Sequence, residues 1–210
     1  MTKVKICGIT NLDDALVACE AGADALGFNF APEAKTKSRY IAPEAARRIA
    51  EQLPPFVSAV AVCVNEPVER LIEYLEWADW VQLHGEERPD QYAKVAARAI
   101  KAFRSAPGFE AEQMKASPAA VYLLDAWSRE RRGGTGKTAD WDLARHAAAL
   151  GKPLILAGGL TPDNVADAVR AVRPYAVDTA GGVEGAPGKK DHERLRAFIR
   201  NAKSALLVPE

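Results

Sequence analysis

Eight short apolar runs recur along this chain. Several of the segments between them place apolar residues at i, i+3, i+4 and i+7, which gathers them into one stripe on a helix. A strand period that keeps giving way to a helical one, with no linker-like run of Gly, Ser or Pro between, predicts a βα rhythm from end to end. Strands are expected near Lys3 to Cys7, Ala25 to Phe28, Ser58 to Val64, Trp80 to Leu83, Ala99 to Phe103, Val121 to Asp125, Pro153 to Ala157 and Ala176 to Thr179. Helical stripes are expected at Leu12, Ala15, Leu16, Cys19; at Ala46, Ile49, Ala50, Leu53; and at Val68, Leu71, Ile72, Leu75. They recur at Val165, Ala168, Val169, Val172 and at Leu195, Phe198, Ile199, Ala202, with only the fifth helix, near Phe109 to Met114, weakly marked. Strands joined through helices run parallel, and eight of them in 210 residues predict an α/β fold, a closed (β/α)8 TIM barrel near the lower size limit of ~200 residues. An open doubly wound sheet is the alternative. One domain over residues 1–210 is expected.

Charge narrows the partners. The 28 basic and 28 acidic residues cancel, so no global field draws the chain to nucleic acid or an anionic membrane, and any phosphate must be held locally. No stretch reaches the ~18 consecutive apolar residues of a membrane span, and Met1 to Thr10 reads as a strand rather than a signal peptide, so a cytoplasmic location is expected. The three cysteines, Cys7, Cys19 and Cys63, have neither metal-site nor small-disulfide spacing and are expected to be free thiols.

In either α/β fold the chemistry belongs at the carboxyl ends of the strands. Strand one finishes at Cys7, followed by Gly8; position alone leaves a core filler or a thiol facing the mouth. Cys19 and Cys63 fit the filler role, one on a helix stripe and one inside an apolar strand. Strand four ends Val81-Gln82-Leu83-His84, and alternation points Gln82 and His84 the same way, toward a pocket rim or a neighbouring loop. Strand six is an apolar run closed by Asp125, an acid-base candidate whose other possible task is capping the next loop. Beyond it, Gly133 to Thr138 is a nest of backbone amides without Walker spacing. Glycine pairs follow strands seven and eight, Gly158-Gly159 and Gly181-Gly182. Barrels commonly bind phosphate there, because bare amides and a helix amino terminus can approach the oxygens; tight turns are the plainer explanation.

Taken together, Lys5-Ile6-Cys7-Gly8-Ile9-Thr10, Gln82-Leu83-His84-Gly85, Leu123-Leu124-Asp125, Gly133 to Thr138 with Asp140-Trp141, and Ala157-Gly158-Gly159-Leu160 with Asn164 resemble the phosphoribosylanthranilate isomerase family, in its order and over nearly the whole chain. The resemblance implies isomerisation of N-(5-phosphoribosyl)anthranilate to the 1-deoxyribulose 5-phosphate product. This is an Amadori rearrangement of tryptophan biosynthesis that needs no metal or organic cofactor, carried out on a small phosphosugar by a monomer or homodimer. It implies Cys7 as base and Asp125 as acid, with Arg39 on the anthranilate carboxylate. It further implies substrate contacts from His84, Gly134, Thr135, Gly136, Gly158, Gly159, Gly181 and Gly182. Three places depart from the family pattern: Lys37-Ser38 before Arg39, Ala139 for an aromatic, and Ala180-Gly181-Gly182 for a serine-bearing loop.

The residue types suit that chemistry. Ring opening needs a proton on the furanose oxygen, and the resulting Schiff base must lose its C2 proton to a base. A thiol of pKa ~8.5 is mostly protonated at neutral pH, and burial makes that worse, so a donor or cation near Cys7 is expected; the sequence does not identify it. Two rivals remain: a histidine-pathway or dual-substrate isomerase working with two aspartates, against which Cys7 argues, and a catalytically silent phosphosugar-binding barrel, against which the presence of both Cys7 and Asp125 argues.

Overall fold

Eight parallel strands hydrogen-bond in the cyclic order β1 to β8 and close into a barrel in the computed structural model, which describes residues 1–125 and 141–207. The strands are β1 Lys3–Cys7, β2 Ala25–Asn29, β3 Ser58–Cys63, β4 Trp80–Leu83, β5 Ala99–Arg104, β6 Val121–Asp125, β7 Leu154–Ala157 and β8 Ala176–Thr179. Four have the expected bounds, and the others differ by one residue at an end. Around them lie α1 Leu12–Glu20, α2 Pro43–Ala50, α3 Val68–Tyr74, α4 Trp141–Ala148, α5 Val165–Val172 and α6 His192–Ser204. The fourth and fifth connections are 3₁₀ segments, Pro89–Arg98 and Ala111–Ala116, the second where the helical signal was weakest.

Strand alternation divides the apolar residues into two layers. Val4, Ile6, Leu26, Phe28, Ala61 and Leu83 point outward into one continuous core with the helices. Full burial of a side chain such as Leu26 or Phe28 contributes about 1.5–3 kcal/mol. The other parity fills the barrel itself with Cys7, Val60, Val62, Ile100, Ala102, Leu123, Ile155 and Ala157, a layer in which branched side chains alternate with small ones to pack the interior.

Two helix faces differ from the expected stripes. Leu16 is exposed on α1, which buries Asp14, Ala15 and Ala18 instead. Asp14 sets that rotation: its carboxylate accepts from Asn11 Nδ2, from the Lys190 amide and from His192 Nε2, tying α1 to the start of α6. Ile72 is likewise exposed on α3, because Tyr74 takes the inward position beside Leu71 and packs on Phe30. The helices that cover the seam between β8 and β1 begin with side-chain caps. Asn11 accepts from the Asp14 amide at the start of α1, and Asp191 accepts from the amides of Glu193 and Arg194 at the start of α6.

Candidate active site

Strand register places the inward-facing charges before any helix is considered. In β1, Lys5 and Cys7 share the interior face, and Lys5 pairs in register with Asp178 of β8. Their side chains meet, Lys5 Nζ to Asp178 Oδ1 at 2.9 Å, with exposures of only 2% and 10%. Parity in the two strands predicts this buried ion pair. An unpaired charge could not be tolerated there. On the other side, Cys7 pairs in register with Gly27 of β2. A Cβ on Gly27 would lie 2.9 Å from Cys7 Sγ and 3.1 Å from Lys5 Nζ, so the missing side chain leaves room for thiol and ammonium together.

The cation the sequence could not name is therefore a pair of lysines. Burial pushes the Cys7 thiol above its ordinary range; Lys5 works against that, Asp178 reinforces it, and Lys190 works against it again. The balance remains upward, with the two lysines offsetting part of the burial; burial in turn lowers the pKa of Lys190 itself, against the pull of Glu184. Burial opposes the charge of Lys5 too, but Asp178 and then Cys7 outweigh it and hold that ammonium above the usual lysine range.

Asp125 closes β6 on the same inward face, with β7 and β8 between it and Cys7. Its Oδ1 is buried with no hydrogen-bond partner among the described residues, and its Oδ2 lies 3.8 Å from His84 Nε2. His84 sits just beyond β4, where its Nδ1 meets Gln82 Nε2 at 3.1 Å. Nδ1 is thus engaged by the Gln82 amide, and Nε2 is the ring nitrogen turned to Asp125. The shared direction of Gln82 and His84 is thus a small polar chain ending at the candidate acid.

After β7, Gly158 and Gly159 both take positive φ, +95° and +66°, which side-chain-bearing residues rarely adopt. Asn164, just before α5, receives the Thr161 amide at 2.8 Å and donates to the Gly159 carbonyl at 3.1 Å, fixing the turn. After β8, Gly181–Val183 forms one 3₁₀ turn. Thr179 Oγ1 donates to the Leu160 carbonyl, and a Cβ on Gly182 would run into that same carbonyl, so the two glycine turns are pressed together. Gly134, Thr135 and Gly136 lie outside the described residues.

Arg39, after β2, reaches the same rim, its chain over Gly8 and its Nη2 beside Gly181. Its guanidinium is not waiting alone. Nε and Nη2 donate to the two carboxylate oxygens of Glu184, both at 2.7 Å. Glu184 opens a short hairpin, β9 Glu184–Ala186 paired with β10 Lys189–Lys190. From β10, the fully buried Lys190 ammonium donates to the carbonyls of Cys7 at 2.7 Å and Ala180 at 3.1 Å, and lies 3.4 Å from Glu184 Oε1. Sequence reasoning gives Glu184 and Lys190 no role, since their partners lie up to 183 positions away and no local pattern announces them.

The mouth of this (β/α)8 barrel thus gathers a thiol and a carboxyl at two strand ends, a guanidinium at the rim, and paired glycine turns after β7 and β8, the parts an acid-base enzyme of this fold needs. Residues 4–201 match the family model described as N-(5'phosphoribosyl)anthranilate (PRA) isomerase, and the chain belongs to that family. The enzyme of that name from Trichlorobacter lovleyi is 52% identical over 208 residues, covering 98% of this chain and all of the relative. The crystal structure of phosphoribosyl anthranilate isomerase from Thermotoga maritima is 45% identical with a TM-score of 0.83, covering 97% of this chain and 100% of that one. A structure of the enzyme in complex with reduced 1-(o-carboxyphenylamino)-1-deoxyribulose 5-phosphate is 43% identical, with a TM-score of 0.81 and coverage of 97% and 100%. Among the described residues no helix is long and apolar enough to cross a membrane.

Proposed function

We propose that Cys7 and Asp125 carry the isomerisation of N-(5'-phosphoribosyl)anthranilate that defines the family, as base and acid respectively. Asp125 delivers its proton to the furanose oxygen as the C1–O bond breaks, leaving a C1–N Schiff base. The Cys7 thiolate then removes the C2 proton, and the electron pair moves into the C1–C2 bond to give an enolamine. Tautomerisation of its C2 hydroxyl to a ketone completes the aminoketose, with every proton returned and nothing oxidised overall beyond the exchange between C1 and C2. Arg39 holds the anthranilate carboxylate, and the backbone about Gly158, Gly159, Gly181 and Gly182 holds the phosphate, joined by Gly134, Thr135 and Gly136. His84 lies beside the acid and steadies the substrate there.

The observation that carries the assignment is the parity of β1 and β6, which turns their last residues, Cys7 and Asp125, to the interior of one barrel mouth. The two lysines beside Cys7 support its use as a base, since thiolate is the working form. Every residue named comes from a single chain of one domain spanning residues 1–210, so a monomer or a homodimer in the cytoplasm can carry the reaction. The test is turnover of phosphoribosylanthranilate, followed by loss of anthranilate fluorescence. Cys7→Ser and Asp125→Asn are each expected to lose at least the ~10²-fold typical of a positioned acid or base, with binding of the reduced product analogue largely kept. Near-normal turnover in either variant removes that residue from the mechanism.

A further inference from the structure

We propose that Glu184 is a positioning residue that aims Arg39 at the substrate carboxylate. The proposal rests on the assignment of that carboxylate to Arg39.

A guanidinium has two edges that match a carboxylate, Nε with Nη2 and Nη1 with Nη2. Glu184 fills the first, with two bonds of 2.7 Å. Nη1 makes no hydrogen bond among the described residues, and Arg39 keeps 24% of its side-chain surface while Glu184 keeps 8%. The buried carboxylate therefore stands behind the guanidinium, and the remaining edge is the one left for a ligand. A freely rotating arginine would lose more conformational entropy when a ligand orders it. Arg39 is held before the ligand arrives.

The support for Glu184 is itself anchored. Lys190 Nζ touches Glu184 Oε1 while bonding the carbonyls of Cys7 and Ala180. One ammonium thus links the end of β1 carrying the thiol, the start of the glycine turn after β8, and the carboxylate behind Arg39. The clamp for one end of a substrate is tied to the backbone of the base. The competing interpretation is that Glu184 plugs the arginine and must be displaced by substrate. The two give opposite signs on removing the carboxylate.

The experiment compares inhibition constants for two probes: reduced 1-(o-carboxyphenylamino)-1-deoxyribulose 5-phosphate, and the same molecule lacking the ring carboxylate. Wild type, Glu184→Ala, Glu184→Gln and Arg39→Ala are measured, with circular dichroism confirming the fold. For Glu184→Ala the carboxylate-bearing probe is expected to weaken by about tenfold or more and the other by less than about twofold; the isosteric Glu184→Gln, which keeps one acceptor, falls between. Tighter binding of the carboxylate-bearing probe to either Glu184 variant establishes the plug and overturns the proposal. Equal weakening of both probes, or no change in either, overturns it as well. Arg39→Ala separates the two layers of the argument. If it still discriminates between the probes as wild type does, the carboxylate assignment falls and takes the proposal with it. If it loses that discrimination while both Glu184 variants retain it, the proposal alone fails.

Discussion

Replacing Lys5 by methionine removes one half of an ion pair that water barely reaches. The ammonium and the Asp178 carboxylate are 2.9 Å apart, with 2% and 10% of their side-chain surfaces exposed. Methionine fills most of the volume, so little is lost in packing. The carboxylate stays behind in a barrel lined by apolar side chains, and an uncompensated buried charge of this kind costs about 3–5 kcal/mol. For a chain of this size about 2–4 °C accompanies each kcal/mol, so the melting temperature at pH 7 is expected to fall by roughly 6–20 °C. The pH lies in the right window. Lys5 has its pKa raised on folding, so its stabilising contribution is fully present below the unfolded lysine value of ~10.4 and disappears only as pH climbs through the higher folded value. The double variant Lys5→Met with Asp178→Leu should recover part of the loss, because neither charge is then buried alone. Thermal melts and urea midpoints of the four proteins in the cycle measure this. A single variant melting within about 3 °C of wild type, or a double variant falling as far as the single, refutes the account of a mutually dependent pair.

Arg39→Ala should raise KM by roughly 10- to 150-fold with a smaller effect on kcat, because a charge-assisted hydrogen bond to the substrate carboxylate is worth ~1.5–3 kcal/mol in both ground and transition states; an unchanged KM would mean another group holds it. Phosphate or sulfate soaked into crystals is expected on the backbone near Gly159, Gly181 and Gly182, and an ion seated only on distant lysine or arginine side chains would show that these are simply tight turns. Cys19→Ser and Cys63→Ser should leave the chemical step unaltered in stopped-flow traces, since Cys63 lies in the outward-facing core and Cys19 packs against that core from a helix, whereas loss of chemistry in either would implicate the wrong thiol elsewhere too. Acid titration followed by near-ultraviolet circular dichroism should show a contribution from Glu87. Burial alone would raise its pKa, but bonds from Lys101 and the Asn65 amide hold it below the ordinary value, so its stabilisation is complete above ~4.3 and is lost as pH falls through the folded value; Glu87→Gln should abolish that part of the transition.

The strand ends were legible in the sequence because a period of two leaves no freedom: once Lys5 faces inward, so does Cys7, and once the apolar run 121–124 is set, Asp125 closes it. The Lys5–Asp178 pair was legible by the same rule together with barrel closure. Helix faces were less so. The rotation of α1 is set by three hydrogen bonds to Asp14, and Tyr74 displaces Ile72 on α3; neither appears as periodicity in a nine- or seven-residue stretch. Glu184 and Lys190 were invisible for a different reason. Their partners Arg39 and Cys7 are separated from them by 145 and 183 positions, and a glutamate or lysine in a glycine-rich turn looks like any solvated charge.

The Lys5–Asp178 bond spans 173 residues, from the first strand of the barrel to its eighth, and the Lys190 bond to the Cys7 carbonyl spans 183. Synthesis runs from the amino terminus, so the strand bearing Cys7 leaves the ribosome first and its closing partners late. Until β8 and the hairpin after it have emerged, Lys5 keeps its water and Cys7 has neither the seam nor the anchored carbonyl that fixes it. Long-range closure is the slow part of assembling such a chain, and here the desolvation of two opposite charges falls on that step. The barrel's seam therefore also works as a check on completeness: a chain that stops short of Asp178 and Lys190 lacks the partners that neutralise Lys5 and anchor the Cys7 carbonyl.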